Sequence, residues 1–175
     1  ETDLLKANKQ IHRWISEGFP VNVRDASGEE DTRLVWLVDF DNESNNDWLA
    51  VNQLSVQTDA DAGTRRPDIV LFLNGLPIGV VELKNPSSED ADIRQAFEQL
   101  QTYKAQISRL FYYNAVLVIA DGADARMGSL TADWERFSRW RSTDGFNLDP
   151  FGTFGFTQTL INGLLNKGSL LDLIR

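Results

Sequence analysis

The sequence predicts a mixed α/β domain, and three observations carry that expectation. Two short apolar runs, residues 69–73 (IVLFL) and 78–83 (IGVVEL), flank Asn74-Gly75-Leu76-Pro77, and Asn-Gly between apolar runs is a strong hairpin signal. Residues 91–108 (ADIRQAFEQLQTYKAQIS) carry Ala96, Leu100 and Ile107 along one helical face. A further apolar run, 115–120 (AVLVIA), follows that helix. The helix therefore allows one parallel crossover, while the hairpin makes part of the central sheet antiparallel.

The elements follow in order. Residues 3–17 place Leu4, Leu5, Ile11, Trp14 and Ile15 at helical spacing, and Gly18 ends the run. A turn-rich loop is expected over 24–31. Residues 33–40 and 48–56, rich in Val, Leu and Trp, read as strands joined by DNESNND, a length that a hairpin loop tolerates. The polar stretch 58–66 reads as a loop before the two central runs, which are apolar on both faces, as strands covered on each side are. The acids at 89, 90 and 92 suit the N-terminus of the 91–108 helix. Asp121-Gly122 turns the chain after 115–120, residues 125–131 (ARMGSLT) read as a short last strand, and 133–141 (DWERFSRWR) as a short helix. Residues 1–148 are expected to form one domain, with 149–175 a linker or docking segment that ends in the apolar GSLLDLIR.

Composition narrows the chemistry. The chain has 175 residues, no cysteine and a single histidine, His12, which excludes disulfides, thiolate metal sites and any mechanism needing two imidazoles. Seventeen Lys and Arg against 26 Asp and Glu give a net charge of −9, which argues against free-standing, non-specific binding to nucleic acid. The acid is uneven: residues 1–50 carry a net −6 and 51–100 a net −4, whereas 101–150 balance and 151–175 carry +1. No apolar stretch approaches a membrane span and the first residues lack a signal peptide's pattern, so a soluble, cytoplasmic protein without membrane contact is expected.

The informative segment is 65–86, RRPDIVLFLNGLPIGVVELKNP. Strand alternation puts Glu82 and Lys84 on one face. A three-residue loop, 74–76, would pair 73 with 77 and bring Asp68 opposite Glu82, their Cα atoms about 5 Å apart. A two-residue Asn-Gly loop would instead pair 68 with 81 and turn Glu82 to the other face. A working site here thus requires an odd-length loop or a bulge. Two converging carboxylates repel, and a bound divalent cation relieves the repulsion. Mg²⁺ suits carboxylates plus waters and a substrate phosphate, and no soft ligand is present for zinc.

Asp68, Glu82 and Lys84 in this string resemble the PD-(D/E)XK nuclease motif, and the whole segment resembles the N-terminal nuclease domain of the restriction subunit of type I restriction-modification enzymes. Gln99 and Tyr103 (QLQTY) match the QxxxY motif that follows the catalytic lysine, and the runs LLKANKQIHRWISEGFPV, LFYYNAVLVIADGADARMGSL and ERFSRWR also resemble that family. The resemblance covers most of residues 4–142. It implies a restriction-endonuclease-like core in which Asp68, Glu82 and the Leu83 carbonyl hold Mg²⁺. Lys84 would orient the attacking water and stabilise the phosphate, and Gln99 and Tyr103 would support the centre or contact DNA. The substrate implied is double-stranded DNA, delivered by an ATP-driven motor and accompanied by methyltransferase and specificity subunits. No GxxxxGK[ST] occurs in these residues, so ATP belongs only to a motor outside this chain.

Arg65 and Arg66, just before Asp68, and Gln95, one helical turn before Gln99, are further candidates for DNA contact. His12, between Ile11 and Trp14 on the first helix, reads as a packed or surface histidine rather than a metal ligand, and Glu17 is no stronger a candidate. Arg136, Arg139 and Arg141 could face DNA or a partner, while Trp134, Phe137 and Trp140 at near-helical spacing point to a core face. Two other functions fit the same residues: a non-catalytic nuclease-fold module that docks motor or methyltransferase subunits, and a recombination-type exonuclease or junction resolvase.

Overall fold

The structure, a computed structural model, describes residues 3–85, 93–122, 124–149 and 155–175. In chain order, helix α1 (Asp3–Glu17) precedes strands β1 (Phe19–Arg24), β2 (Glu30–Val35), β3 (Trp48–Asn52), β4 (Val56–Gln57), β5 (Thr64–Arg65), β6 (Ile69–Leu73) and β7 (Leu76–Leu83). Helix α2 (Ile93–Gln106), strands β8 (Val116–Ala120) and β9 (Ala125–Gly128), and helices α3 (Gly155–Gly163) and α4 (Lys167–Ile174) follow. Five strands form a mixed sheet in the order β3-β6-β7-β8-β9. Only β7 and β8 run parallel, joined through α2; the other neighbours are antiparallel. This is the α/β fold with a mixed central sheet flanked by helices that the sequence predicts.

The hairpin at the sheet's centre sets the register. Asn74 and Gly75 have φ of +50° and +81°, the pair of left-handed residues that closes a two-residue turn matched to strand twist. Leu73 pairs with Leu76 and Phe72 with Pro77, and the register then shifts: Leu71 faces Gly79, Val70 faces Val80 and Ile69 faces Val81. Ile78 is the extra residue of a β-bulge. Pro77 beside it has no N–H to give the ladder, and bulges are among the few places a sheet accepts proline. The loop is thus two residues, and the bulge supplies the odd residue.

The sheet has a core on each face. Val70, Val80, Leu117 and Ile119 pack with Ala96, Leu100 and Tyr103 of α2, and with Phe111. On the other face, Ile78, Val81 and Val118 pack with Ile15 of α1, Leu160 of α3, Leu164, and Leu170 and Ile174 of α4. The apolar end of the chain therefore lies against this domain's own sheet. No helix among the described residues is long and apolar enough to cross a membrane.

Three expectations need correction. Residues 33–40 and 48–56 do not form a hairpin. β2 pairs with β1, itself not foreseen, in a separate two-stranded ribbon, while β3 pairs with β6. All six residues of β2 are exposed, so it has no apolar face to bury in the main sheet and pairs with its neighbour in sequence. The chain between β2 and β3 is instead tied to the hairpin tip: Asn74 donates to the Leu37 carbonyl at 2.8 Å and to Asn46 Oδ1 at 2.8 Å, and accepts from the Asp47 N–H at 2.6 Å. The strand at 48–56 ends at Asn52, with 56–57 in a separate short ribbon against β5. Residues 133–141 form only a 3₁₀ turn, Trp134–Arg136, before the chain extends and Ser138 exchanges two backbone hydrogen bonds with Met127. Gly128 allows this: a Cβ there would lie 2.6 Å from the Phe137 ring. The first two positions of the 91–108 helix, and the acids at 89, 90 and 92, lie outside the described residues; the helix is seen over Ile93–Gln106.

Leu164 is fully buried on the α3/α4 side of the sheet. Leu164→Ala is expected to destabilise the chain by about 3 kcal/mol, read from the urea midpoint at unchanged m-value.

Candidate active site

Continuing the β6–β7 register one step past Ile69 and Val81 sets Asp68 opposite Glu82. Both side chains thereby share a sheet face, the geometry a plain two-residue hairpin would forbid. Asp68 is half-buried, and its Oδ2 accepts the Leu83 N–H at 2.8 Å, which ties the start of β6 to the end of β7. Glu82 is 4% exposed, on the α2 side of the sheet. Its Oε1 accepts from Lys84 Nζ at 3.1 Å, whereas its Oε2 is buried without a hydrogen-bond partner. The Lys84 N–H donates to the Ala120 carbonyl at 2.8 Å, so the acidic pair and the lysine are fixed at the C-terminal end of the parallel strands β7 and β8. In open α/β sheets ligands bind at this end.

Burial holds the Glu82 carboxyl above the usual range; the Lys84 hydrogen bond opposes this, and the nearby Asp68 charge adds to it. A buried carboxylate oxygen with no donor is costly. A hard cation would satisfy it, and the available donors are two carboxylates and a backbone carbonyl at Leu83, oxygen ligands of the kind Mg²⁺ takes together with water. Among the described residues no group of three or more His, Cys, Asp or Glu could hold a metal, so any ion here would draw on water or substrate for its remaining ligands.

Helix α2 closes the site from one side. Tyr103 is buried, and its hydroxyl donates to the Arg66 carbonyl at 3.2 Å, anchoring the segment that leads into Asp68. Burial and the Glu82 charge push that hydroxyl up to about 12, against a hydrogen bond from Gln99. Gln99, one turn earlier, is half-buried on the same face.

The family model described as "Type I restriction enzyme R protein N terminus (HSDR_N)" matches residues 1–136. The chain belongs to this family. It is 44% identical over 174 residues to the type I restriction enzyme HindI endonuclease subunit of Haemophilus influenzae, covering 99% of this chain and 16% of that relative. A relative from Methanocaldococcus jannaschii, named as a candidate type I restriction enzyme MjaIXP endonuclease subunit, is 40% identical over 176 residues, covering 98% of this chain and 16% of its own length. The type I restriction enzyme EcoprrI endonuclease subunit of Escherichia coli is 29% identical over 147 residues, covering 75% of this chain and 44% of the relative. The chain thus spans about one sixth of the first two relatives.

Within this member of the R protein N-terminal family, the other residues singled out in the sequence are dispersed. Arg65 lies on β5 with its Nε bonded to Gln106, and Arg66 is exposed and bonded to the Gln53 side chain at 2.6 Å. Gln95 is exposed on α2, and His12 and Glu17 are exposed on α1. Two residues not singled out, Asp124 and Arg126, lie at the same end of the sheet as Glu82. Strand register was the available signal: Glu82 pairs with Ile119, and Ile119 with Arg126.

Because the folded state holds Glu82 protonated to higher pH than the unfolded chain does, the unfolded state binds fewer protons and stability falls as pH rises above the ordinary glutamate range. Glu82→Gln should therefore raise the Tm of the metal-free chain at pH 7. The gain should vanish near pH 4, where Glu82 is protonated in both states. Calorimetry across pH 4–8 checks this.

Proposed function

We propose that this chain is a Mg²⁺-dependent DNA endonuclease domain with a restriction-endonuclease-like core of the PD-(D/E)XK type. It would hydrolyse phosphodiester bonds of foreign double-stranded DNA after ATP-driven translocation by a motor outside this chain. The observation that carries this is the meeting of Asp68, Glu82 and Lys84 at one strand end, with Glu82 Oε2 buried and unpartnered. Asp68, Glu82 and the Leu83 carbonyl would hold Mg²⁺, which when bound supplies charge neutralisation at the phosphate and activates water. Lys84 is held by Glu82 Oε1, and its remaining N–H groups would be available to a phosphate oxygen or the attacking water. Tyr103 and Gln99 position rather than react: the tyrosine holds the backbone leading into Asp68, and its raised pKa keeps it a neutral donor.

The partners that follow from this reading are methyltransferase and specificity subunits and a covalently linked motor, in a cytoplasmic complex. Residues 149–175 would join the nuclease unit to the motor while α3 and α4 themselves pack on the unit's sheet. Delivery by a motor also accommodates an acidic nuclease, because the domain need not hold DNA by itself.

In the full complex with ATP, Asp68→Ala and Lys84→Ala are each expected to lower double-strand cleavage by roughly 10²–10³-fold while assembly is retained. Undiminished cleavage by both would favour a non-catalytic docking module instead. ATP-independent cleavage by the isolated chain would favour an exonuclease or resolvase. Mn²⁺ at one hundred times its Kd should stabilise the wild-type chain by about 2.7 kcal/mol, read by thermal denaturation, and Asp68→Ala should abolish that gain.

A further inference from the structure

We propose that the cleft lined by Arg126, Phe137, Ser138, Arg139, Arg141 and Phe156 binds backbone phosphates of the DNA strand that reaches Lys84, as a second anchor for the substrate. This deepens the nuclease reading and rests on it for the identity of the ligand.

Position is the first argument. Glu82, Ile119 and Arg126 form one rank across β7, β8 and β9, so their side chains share a face of the sheet. Neighbouring strands lie about 4.8 Å apart, which puts Arg126 about 10 Å from Glu82 along the sheet. That separation is short enough for one DNA strand to meet both, since its charges recur about every 3.4 Å of helix axis. The Arg126 guanidinium lies 4.8 Å from the Trp134 ring, which packs on the α2-side core, so it does occupy the Glu82 face.

The second argument is how the arginines are held. Asp124 accepts from Arg126 Nε at 3.1 Å and from a terminal nitrogen of Arg126 at 3.0 Å. It also accepts from Arg139 Nε at 2.6 Å and a terminal nitrogen of Arg139 at 2.9 Å. The Arg139 guanidinium is further fixed over the Phe156 ring at 4.3 Å. One carboxylate thus orients two guanidinium planes and neutralises one charge, leaving N–H edges of both unspent. Arg141 is exposed, and among the described residues its guanidinium makes no hydrogen bond or ion pair. Among the described residues no carboxylate lines the cleft, whose volume is about 550 Å³.

Charge is the third. In a chain of net −9, a cluster with about two uncompensated positive charges has to overcome an unfavourable overall field. Such a cluster suits a ligand presented by other means, which then needs only local registration. Phosphate contacts provide registration without sequence preference. The extended course of residues 137–139 along β9 makes the cleft, since a helix there would have separated Arg139 from Asp124.

The test uses the 175-residue chain and a fluorescein-labelled 20-base-pair duplex in EDTA, with anisotropy read from 20 to 150 mM salt. Without divalent ions the cleft is probed apart from the acidic pair. Arg141→Gln, which breaks no side-chain hydrogen bond or ion pair among the described residues, should weaken binding about tenfold at 20 mM salt and reduce the slope of log K against log salt by about 0.9. Arg141→Lys should restore most of both, and Arg33→Gln on the separate β1–β2 ribbon should change neither. Unchanged affinity and slope in Arg141→Gln, or no wild-type binding at 20 mM salt, would overturn the proposal. So would displacement of the duplex by polyglutamate of equal charge as readily as by unlabelled duplex, which points to an acidic protein partner. Cleavage by the full complex separates the two readings. Loss of cutting in Asp68→Ala with unaltered binding in Arg141→Gln removes only the cleft, whereas the converse removes the nuclease reading and leaves a DNA-contact surface.

Discussion

One extra residue in β7 governs the arrangement of the site. Side chains of a strand alternate, so inserting Ile78 reverses the facing of everything after it relative to a regular two-residue hairpin. With the bulge, Glu82 shares a face with Asp68 and Lys84, beneath α2. Without it, Glu82 would turn to the side covered by α3 and α4. Tertiary packing favours the bulged register, because it places Val80 in the α2-side core and Ile78 and Val81 in the other, each buried. Forming the site and filling the two cores are therefore a single choice of register.

The site itself is held in an unfavourable state. Glu82 is almost wholly buried, faces another carboxylate, and has one oxygen without a donor. Lys84 offsets part of that from just beyond β7, two residues along the chain from Glu82. The surroundings bear the remainder: Asp68 is fastened to the Leu83 amide, Lys84 to the Ala120 carbonyl, and the backbone of Arg66 to Tyr103. Unfavourable electrostatics maintained by backbone hydrogen bonds is how polar sites stay ready for a ligand that relieves them.

Much of this was legible in the sequence, for identifiable reasons. The central strands and α2 are written in continuous apolar runs and helical spacing, which local reading captures. The requirement for an odd residue followed from counting alone. Its solution as a bulge at Ile78 did not, although Pro77 marked the place. The edges were harder. Residues 33–40 are as rich in Val, Leu and Trp as a core strand, yet β2 is exposed on both faces, and nothing within the segment distinguishes the two. The 133–141 stretch has helical spacing of aromatics, but the unpaired edge of β9 and the space over Gly128 draw Phe137 and Ser138 into an extended course. Both depend on partners far away in the chain. Arg139 was a candidate from the sequence, but its meeting with Asp124 and Arg126 depends on strand register, since they come together only after β9 and the following segment pair.

The two cores on either face of the sheet differ in what they carry. The α2-side core borders the carboxylates and Tyr103, so a change of volume there shifts charged groups. The opposite core, lined by α3 and α4, lies across the sheet from Glu82 and Tyr103. A change of volume on that side acts on stability and on the footing of Phe156, which packs against this core and carries the Arg139 guanidinium. A change of volume on the α2 side bears on folding and on the carboxylates together, so the sheet separates two different consequences of the same kind of substitution.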